Sequence, residues 1–519
     1  MPTEVTDSMT ADSGRTIVTD RRGLVLGARI ASGAVAAGVA AVVVAVVVLV
    51  PLPTAGPAPR TLTIQPAPAD QVRVCPGAAV RFGDETGGSA GEAFVIGEPV
   101  TDGAAHEAEL LSSPLNSADA GAPPAAAPEE LRVGPAHGAL VAGAQSQEVE
   151  APGFRGFAAA VCGEPSGSTW LVGGATTVGR STSLLLANPT DVPSRVSLAI
   201  FGENGKVVAP GLTGIVVPAH GQRVLSLAGF APGVVSPVVH VTARGGRVVA
   251  ELQQSIVRGL DAVGVELIGG GTEPEPSLVI PGVRILDAVG TSRSSALADW
   301  HDVVPVVRLA VPGDAPGLVT VRVVPDEEAA AGTSFELAVE AGTVVDIPLD
   351  AGGHDHVEGE DEEHAHGLED GLYTVFVDAD VPVVAGVRAS TAVDSGGEPA
   401  PDSALRGPPS DFAWFSAAPP LDGAALVVVP PGPSPLVSIV NPTDEDVELE
   451  LTSLAGADPV LVAVPAGATA AVAVAPGAYL LNGADGLAVG VSFAGPAASA
   501  SFVVSPPRPA AAPLVVHPD

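Results

Sequence analysis

SLLLANPTD, residues 183–191, is the stretch from which the architecture can be read. An apolar run ends in a proline-centred turn, and the same figure returns as VVRLAVPGD at 306–314 and VSIVNPTD at 437–444. The spacing from Pro189 to Pro312 is 123 residues, and from Pro312 to Pro442 it is 130. Beyond each proline, Val196 and Leu198, Val319 and Val321, and Leu449 and Leu451 occupy the same two offsets. Apolar residues two apart predict a strand with one face in a core and one in water. A long internal repeat of this kind marks serially repeated structural units.

Two further echoes support the repeat. VVPAHG at 216–221, AVEAG at 338–342 and AVPAG at 463–467 each read as a turn feeding an apolar strand. HVTARGGRVVAEL at 240–252, VFVDADVPVVAGV at 375–387 and LLNGADGLAVGVS at 480–492 read as hairpins around a polar tip. Short strands with closely spaced turn signals predict tandem immunoglobulin-like antiparallel β-sandwich units, so the fold class is mainly β. The only tryptophans, Trp170, Trp300 and Trp414, are each expected to precede a unit as packing residues. Tyr373 and Tyr479, the only tyrosines, sit at similar points in units two and three and read as corner tyrosines.

Upstream, residues 30–50, IASGAVAAGVAAVVVAVVVLV, hold no charge and as a helix would extend roughly 31 Å, enough to cross a bilayer. Arg15, Arg21, Arg22 and Arg29 precede this stretch, so positive-inside logic puts the N-terminus in the cytoplasm and the bulk outside. An uncleaved signal anchor is expected; a removable signal peptide is the rival, and Arg21-Arg22 reads as ordinary anchoring charge rather than a twin-arginine signal. The organisation that follows is a cytoplasmic tail at 1–29, the anchor at 30–50 and a Pro-rich stalk at 51–68. Next come an N-terminal region at 69–180, units at 181–300, 301–410 and 411–506, and a tail at 507–519. Within 69–180, short apolar runs near Val72, Gly91–Ile96 and Phe154–Val161 are candidate strands, and SADAGAPPAAAPEE at 117–130 is expected to be disordered.

With 23 basic residues against 59 acidic, the formal charge of −36 argues against nucleic acid as a partner. The single lysine, Lys206, lies in ENGKVV and fits neither a P-loop nor a Ser-x-x-Lys dyad. Cys75 and Cys162, the only cysteines, are expected on the exported side and predict one disulfide, with two buried free thiols as the alternative. The order CPG at 75–77, Cys162, TWLVGG at 169–174, LLLANPTD at 184–191 and QQSIVRGL at 253–260 resembles an uncharacterised actinobacterial family of membrane-anchored extracytoplasmic proteins, a domain of unknown function. That resemblance implies an envelope location and a disulfide, and it supplies no catalytic residues.

The most chemically suggestive segment is HDHVEGEDEEHAHG at 354–367, where His354, His356, His364 and His366 flank a run of acids. Imidazole with carboxylate suits zinc or another divalent transition metal, and a solvated acidic loop is the plainer reading. The segment reads as an insertion between two strands of unit two. GGSAG at 87–91 lacks the strand-then-helix context of a hydrolase elbow. Trp300-His301-Asp302 and the acids of 444–450 read as exposed strand or turn features, the latter as a charged strand edge. No catalytic constellation emerges. The expected function is a non-catalytic, membrane-anchored envelope scaffold or interaction protein, with a protein or wall polymer as partner. Metal binding at 354–366 is the alternative, and an envelope hydrolase or transferase comes third. If the histidines do bind metal, calorimetry of the exported chain with zinc will show a saturable site that replacing all four with alanine removes; no heat at micromolar zinc would end the idea.

Overall fold

The computed structural model describes residues 35, 38–39, 62–64, 70–83, 92–117, 121, 123–135, 139–259, 261–297, 299–326, 332–349, 368–393, 408–506 and 514–516. Two compact units arise: residues 1–65 with 513–519, and residues 66–512. In the first, Leu62–Ile64 pairs antiparallel with Leu514–Val516, so part of the expected stalk and part of the expected tail form a ladder instead. Of the expected anchor only Val35, Gly38 and Val39 are described, all three helical and exposed. No helix among the described residues is long and apolar enough to cross a membrane.

The second unit is built from antiparallel sheets. Three sandwiches follow one another, and each places its strands in the same order. The first uses Ser168–Val172, Arg180–Asn188, Ser194–Gly202, Thr213–Val217, Gly221–Ser226, Val238–Gly245, Val249–Arg258 and Asp261–Ile268. Its strands run first-sixth-third-fourth in one sheet and fifth-second-seventh-eighth in the other. The third sandwich repeats this order with Ala425–Val429, Leu436–Val440, Val447–Ser453, Val460–Val464, Thr469–Ala473, Gly477–Asn482, Ala488–Gly495 and Ala498–Val503. The middle one does so with Glu275–Ile285, Val306–Ala310, Gly317–Pro325, Thr333–Val339, Val344–Pro348, Gly371–Ala392 and Ser410–Ser416. In each sandwich, therefore, the first strand lies upstream of the repeated motif, because that motif marks the second strand and the turn after it.

The alternation read from the sequence is real: Val196, Val319, Val321, Leu449 and Leu451 are buried in their cores. The expected hairpins are not. The sixth and seventh strands never pair with each other; they belong to opposite sheets, so 240–252 and 480–492 are crossovers from sheet to sheet. Gly245, Gly483 and Gly486, all at positive φ, let the chain break there. Asp378-Ala379-Asp380 offers no glycine, and in the middle sandwich the two strands fuse into Gly371–Ala392. Its first half pairs with Glu275–Ile285 and Gly317–Pro325, its second with Val306–Ala310 and Ser410–Ser416.

The third strand Val447–Ser453 has neighbours on both sides, so the acids at 444–450 do not guard an edge. Trp170 stands in the first strand of its sandwich, Trp300 in a connector and Trp414 in an eighth strand, so the tryptophans are not equivalent. Tyr373 and Tyr479 do behave alike: each donates its hydroxyl to the carbonyl four residues back, Glu369 at 3.0 Å and Ala475 at 2.7 Å.

The N-terminal region adds Gln71–Cys75, Glu129–Val133 and Leu110–Pro114 as one sheet, Ala79–Phe82 with Ala93–Ile96 as a hairpin, and Val100–His106, Leu140–Ala151 and Phe154–Val161 as another sheet. Cys75 and Cys162 are disulfide-bonded. The described part of 117–130 is ordered, contrary to the compositional expectation. Pro124–Ala126 forms a short 3-10 turn, and Ala126 accepts the Ala78 amide at 2.9 Å. A Cβ on Gly77 would fall 2.7 Å from the Pro128 nitrogen, so this proline-stiffened segment packs directly against a bare backbone.

The repeated Asn-Pro-Thr-Asp turn has a definite job. Asn188, fully buried, donates to the carbonyls of Val192 (2.9 Å) and Val217 (3.2 Å), and accepts from the amide and hydroxyl of Thr190. Asn441 does the same with Glu445, Val464 and Thr443. Each asparagine therefore ties its turn to the end of the fourth strand on the opposite sheet. In the middle sandwich Val311 stands at this place, and its carbonyl takes the Gly342 amide directly at 2.7 Å. Asn441→Ala should cost about 2–3 kcal/mol, since it strands buried carbonyls and the Thr443 amide; a lowered midpoint in urea denaturation is the expected readout, and an unchanged midpoint would refute the clamp.

Candidate functional site

Four sheet edges meet inside the large unit. The eighth strands of the three sandwiches, Asp261–Ile268, Ser410–Ser416 and Ala498–Val503, pack on one another and on Phe154–Val161. Each is the outermost strand of its own sheet, with backbone groups that no neighbour in that sheet can satisfy. Asp411 solves this for all four. Its Oδ2 accepts the amides of Phe157 at 2.9 Å and Ser499 at 3.1 Å, its Oδ1 accepts the Phe412 amide at 3.0 Å, and the Val265 amide also donates to it. Glu266 contributes a second bridge, accepting the amides of Trp414 and Ser501. Burial, joined at Glu266 by the neighbouring Asp411, holds both carboxyls well above the usual range, and the backbone donors offset only part of the shift. The strands come this close because small residues line them: a Cβ on Gly156 would lie 2.6 Å from the Val265 nitrogen.

Charged side chains also join the first two sandwiches. Arg308, fully buried, grips Asp346 in a bidentate pair at 2.7 and 2.8 Å. The same guanidinium donates to the carbonyls of Gly174, Val235 and Pro237 in the first sandwich and lies 4.6 Å from the Trp414 ring. The Trp414 indole N–H donates to Gln254 at 2.7 Å. Of Trp300-His301-Asp302, expected to be an exposed strand or turn feature, His301 is exposed in a 3-10 turn, whereas Trp300 and Asp302 form a structural junction. Trp300 is buried beneath the Arg258 guanidinium, and Asp302 pairs with Arg180 and Arg258. Burial drives the Asp302 carboxyl upward, but the arginines outweigh it and hold the group below the usual range.

A cavity of about 580 Å³ is walled by the N-terminal region and all three sandwiches. Leu140, Val161, Leu426, Val504, Pro419 and Pro420 supply its apolar lining. Its charged lining is Arg73, paired with Glu164 at 2.9 Å, together with Glu251 and the exposed Glu273 and Glu275. Glu251 sits on the seventh strand Val249–Arg258, where Ala250 and Leu252 face the sandwich core and Val249, Glu251 and Gln253 face the N-terminal region. At this contact and within the N-terminal region, buried amide side chains hold backbone with both ends. Gln253 takes the amide and carbonyl of Val80, Gln145 those of Gly77, and Gln147 the amide of Ala79 and the carbonyl of Ile96. Glu251 breaks the pattern: it is 3% exposed, and its Oε2 has no hydrogen-bond partner. Burial pushes its carboxyl up to about 8, so it is largely protonated at neutral pH.

The residues singled out in the sequence fall elsewhere. His354, His356, His364 and His366 lie outside the described residues, as does GGSAG at 87–91. The neighbouring strands Val344–Pro348 and Gly371–Ala392 place 354–367 between the fifth strand and the fused sixth of the middle sandwich. Among the described residues no cluster of three or more His, Cys, Asp or Glu could hold a metal ion. Cys162 reaches the cavity wall only as half of the disulfide. Glu251 was missed, although an acid between Ala250 and Leu252 in a strand-like run was the available signal.

A family model described as a family of unknown function (DUF5719) matches residues 116–475. No curated protein matches the chain. Among solved structures, the crystal structure of Thermotoga maritima 1070 is similar at 11% identity and a TM-score of 0.19, over 28% of this chain and 95% of that one. The FN1–FN3 domains of chicken CNTN1 are similar at 11% identity and a TM-score of 0.10, over 66% of this chain and 99% of that one. At such scores neither likeness bears on the fold.

The Glu251 proton sets a pH dependence. Above about pH 5 the unfolded chain has released it, while the folded chain keeps it until about 8. Raising the pH through that window therefore favours unfolding. The thermal midpoint should fall between pH 5.5 and 8, and Glu251→Gln should flatten the decline; a variant as pH-sensitive as the parent would refute the assignment.

Proposed function

The chain belongs to the family of unknown function DUF5719, and from that premise we propose that it is a non-catalytic, membrane-anchored scaffold of the extracytoplasmic envelope. The observation that carries this reading is the junction, where Asp411, Glu266 and Arg308 fasten three β-sandwiches and the N-terminal region into one body with shared cores. Flexible beads on a string would suit a spacer. A fused body suits recognition, because groups from four parts of the chain are held in fixed relation around one cavity. The disulfide supports export to an oxidising compartment, and the uncharged stretch 30–50 supplies the anchor. A net charge of −36 directs the partner search toward a protein or a wall polymer and away from nucleic acid.

Two measurements on intact cells test this. A tag after Asp519 should be removed by added protease while a cytoplasmic marker survives, and deleting 30–50 should release the chain from the membrane fraction. A protected tag would overturn the topology. Crosslinking in intact cells should then yield a discrete envelope neighbour, and Arg308→Leu, which loosens the first two sandwiches, should weaken that crosslink. A crosslink pattern untouched by loosening the body would overturn the scaffold reading.

A further inference from the structure

The cavity has a chemical bias. One cation, Arg73, lies among four carboxyl groups, those of Glu164, Glu251, Glu273 and Glu275, and Arg73 is already paired with Glu164. An anionic ligand would meet uncompensated repulsion there. The apolar lining is aliphatic and proline-rich, with no aromatic face to stack a sugar ring or a quaternary ammonium. A bare metal ion would require converging ligands, and no such cluster exists among the described residues. Glu251, an acid enclosed without a partner for Oε2, is among the lining residues.

We propose that this cavity binds a primary alkylammonium group on an aliphatic stem, with Glu251 as its counter-ion and the apolar wall around the stem. Glu273 and Glu275, exposed on the cavity wall, draw the cation in. The proton balance follows from the same pairing. Empty, the cavity holds Glu251 as a neutral acid, since a lone buried charge is costly. The arriving ammonium stabilises the carboxylate, the O–H bond breaks, and the proton leaves to bulk water while the ligand keeps its charge. Binding is therefore linked to release of up to one proton below about pH 8, and affinity rises with pH toward that value. Glu164 with Arg73, and Glu273 with Glu275, are the other charged groups facing the cavity. Free amines and lysine-type side chains of a polymer share this chemistry. The inference concerns the cavity alone and stands or falls separately from the membrane anchor.

The test is titration calorimetry of the full-length protein at pH 6.5 in two buffers of different ionisation heat. The probes are butylammonium chloride, the peptide acetyl-Ala-Lys-Ala-amide, and pentan-1-ol as an uncharged match. Saturable binding of either amine with buffer-dependent heat, absent for pentanol, is the expected result, and which amine binds separates a free ligand from a polymer side chain. Glu251→Gln, checked for folding by circular dichroism, should abolish the buffer dependence and weaken binding by ~10-fold or more, the equivalent of one lost ion pair. Glu273→Gln with Glu275→Gln should weaken it most at low salt. No saturable amine binding by the parent, equal binding of pentanol, or unchanged proton release in Glu251→Gln would each overturn the proposal.

Discussion

One buried carboxyl group decides how this chain assembles. Asp411 receives amides from Phe157, Val265, Phe412 and Ser499, strands from four different parts of the sequence. An edge strand normally stays in water because its unpaired amides need it, and burying four together would leave a row of unsatisfied donors. A single side chain with two oxygens and several lone pairs answers that need at the one point where the strands converge. The glycines opposite it follow from the same requirement: a side chain on Gly264 would come within 2.8 Å of the Asp411 Oδ1, so the acid and the bare backbone imply each other.

From that point the rest of the large unit can be derived. Once the edges converge, the hydrophobic cores of neighbouring parts become continuous. Trp300, Phe412 and Trp414 enter the core of the first sandwich, and Phe157 and Ala159 enter that of the third. Arg308 and the paired glutamines then lock contacts that apolar surface alone would leave free to slide. Buried polar groups with every partner in place fix orientation more sharply than hydrophobic contact does. Against that background Glu251 is conspicuous, because it sits in the same layer and holds nothing.

Much of the fold was legible, and for a physical reason. A strand with one wet and one dry face writes its period into the sequence, so Val196 with Leu198, Val319 with Val321 and Leu449 with Leu451 announced the third strand of each sandwich. The turn asparagines were visible too, since Asn188 and Asn441 sit in the same tetrapeptide. What stayed hidden was partnership between distant segments. Two strands joined by a short polar stretch look alike whether they pair or cross to the other sheet, and the local pattern of 240–252 cannot tell. Asp411 in PSDFAWFS looks like a turn acid at the start of a strand, because its four donors lie up to 254 positions away. Glu251 was hidden by the same limit: an acid amid apolar neighbours reads as an outward-facing residue until another part of the chain covers it.

The fused strand Gly371–Ala392 has a mechanical meaning. In the outer sandwiches the two sheets are joined at this place by a glycine-rich bend, which can act as a hinge and let the layers splay. In the middle one the corresponding link is continuous backbone, hydrogen-bonded on either side of residues 380–382 to strands of both layers. Prising those layers apart means unzipping several ladders in shear at the same moment, so under tension this central module would yield after its neighbours and act as the stiff keel between them.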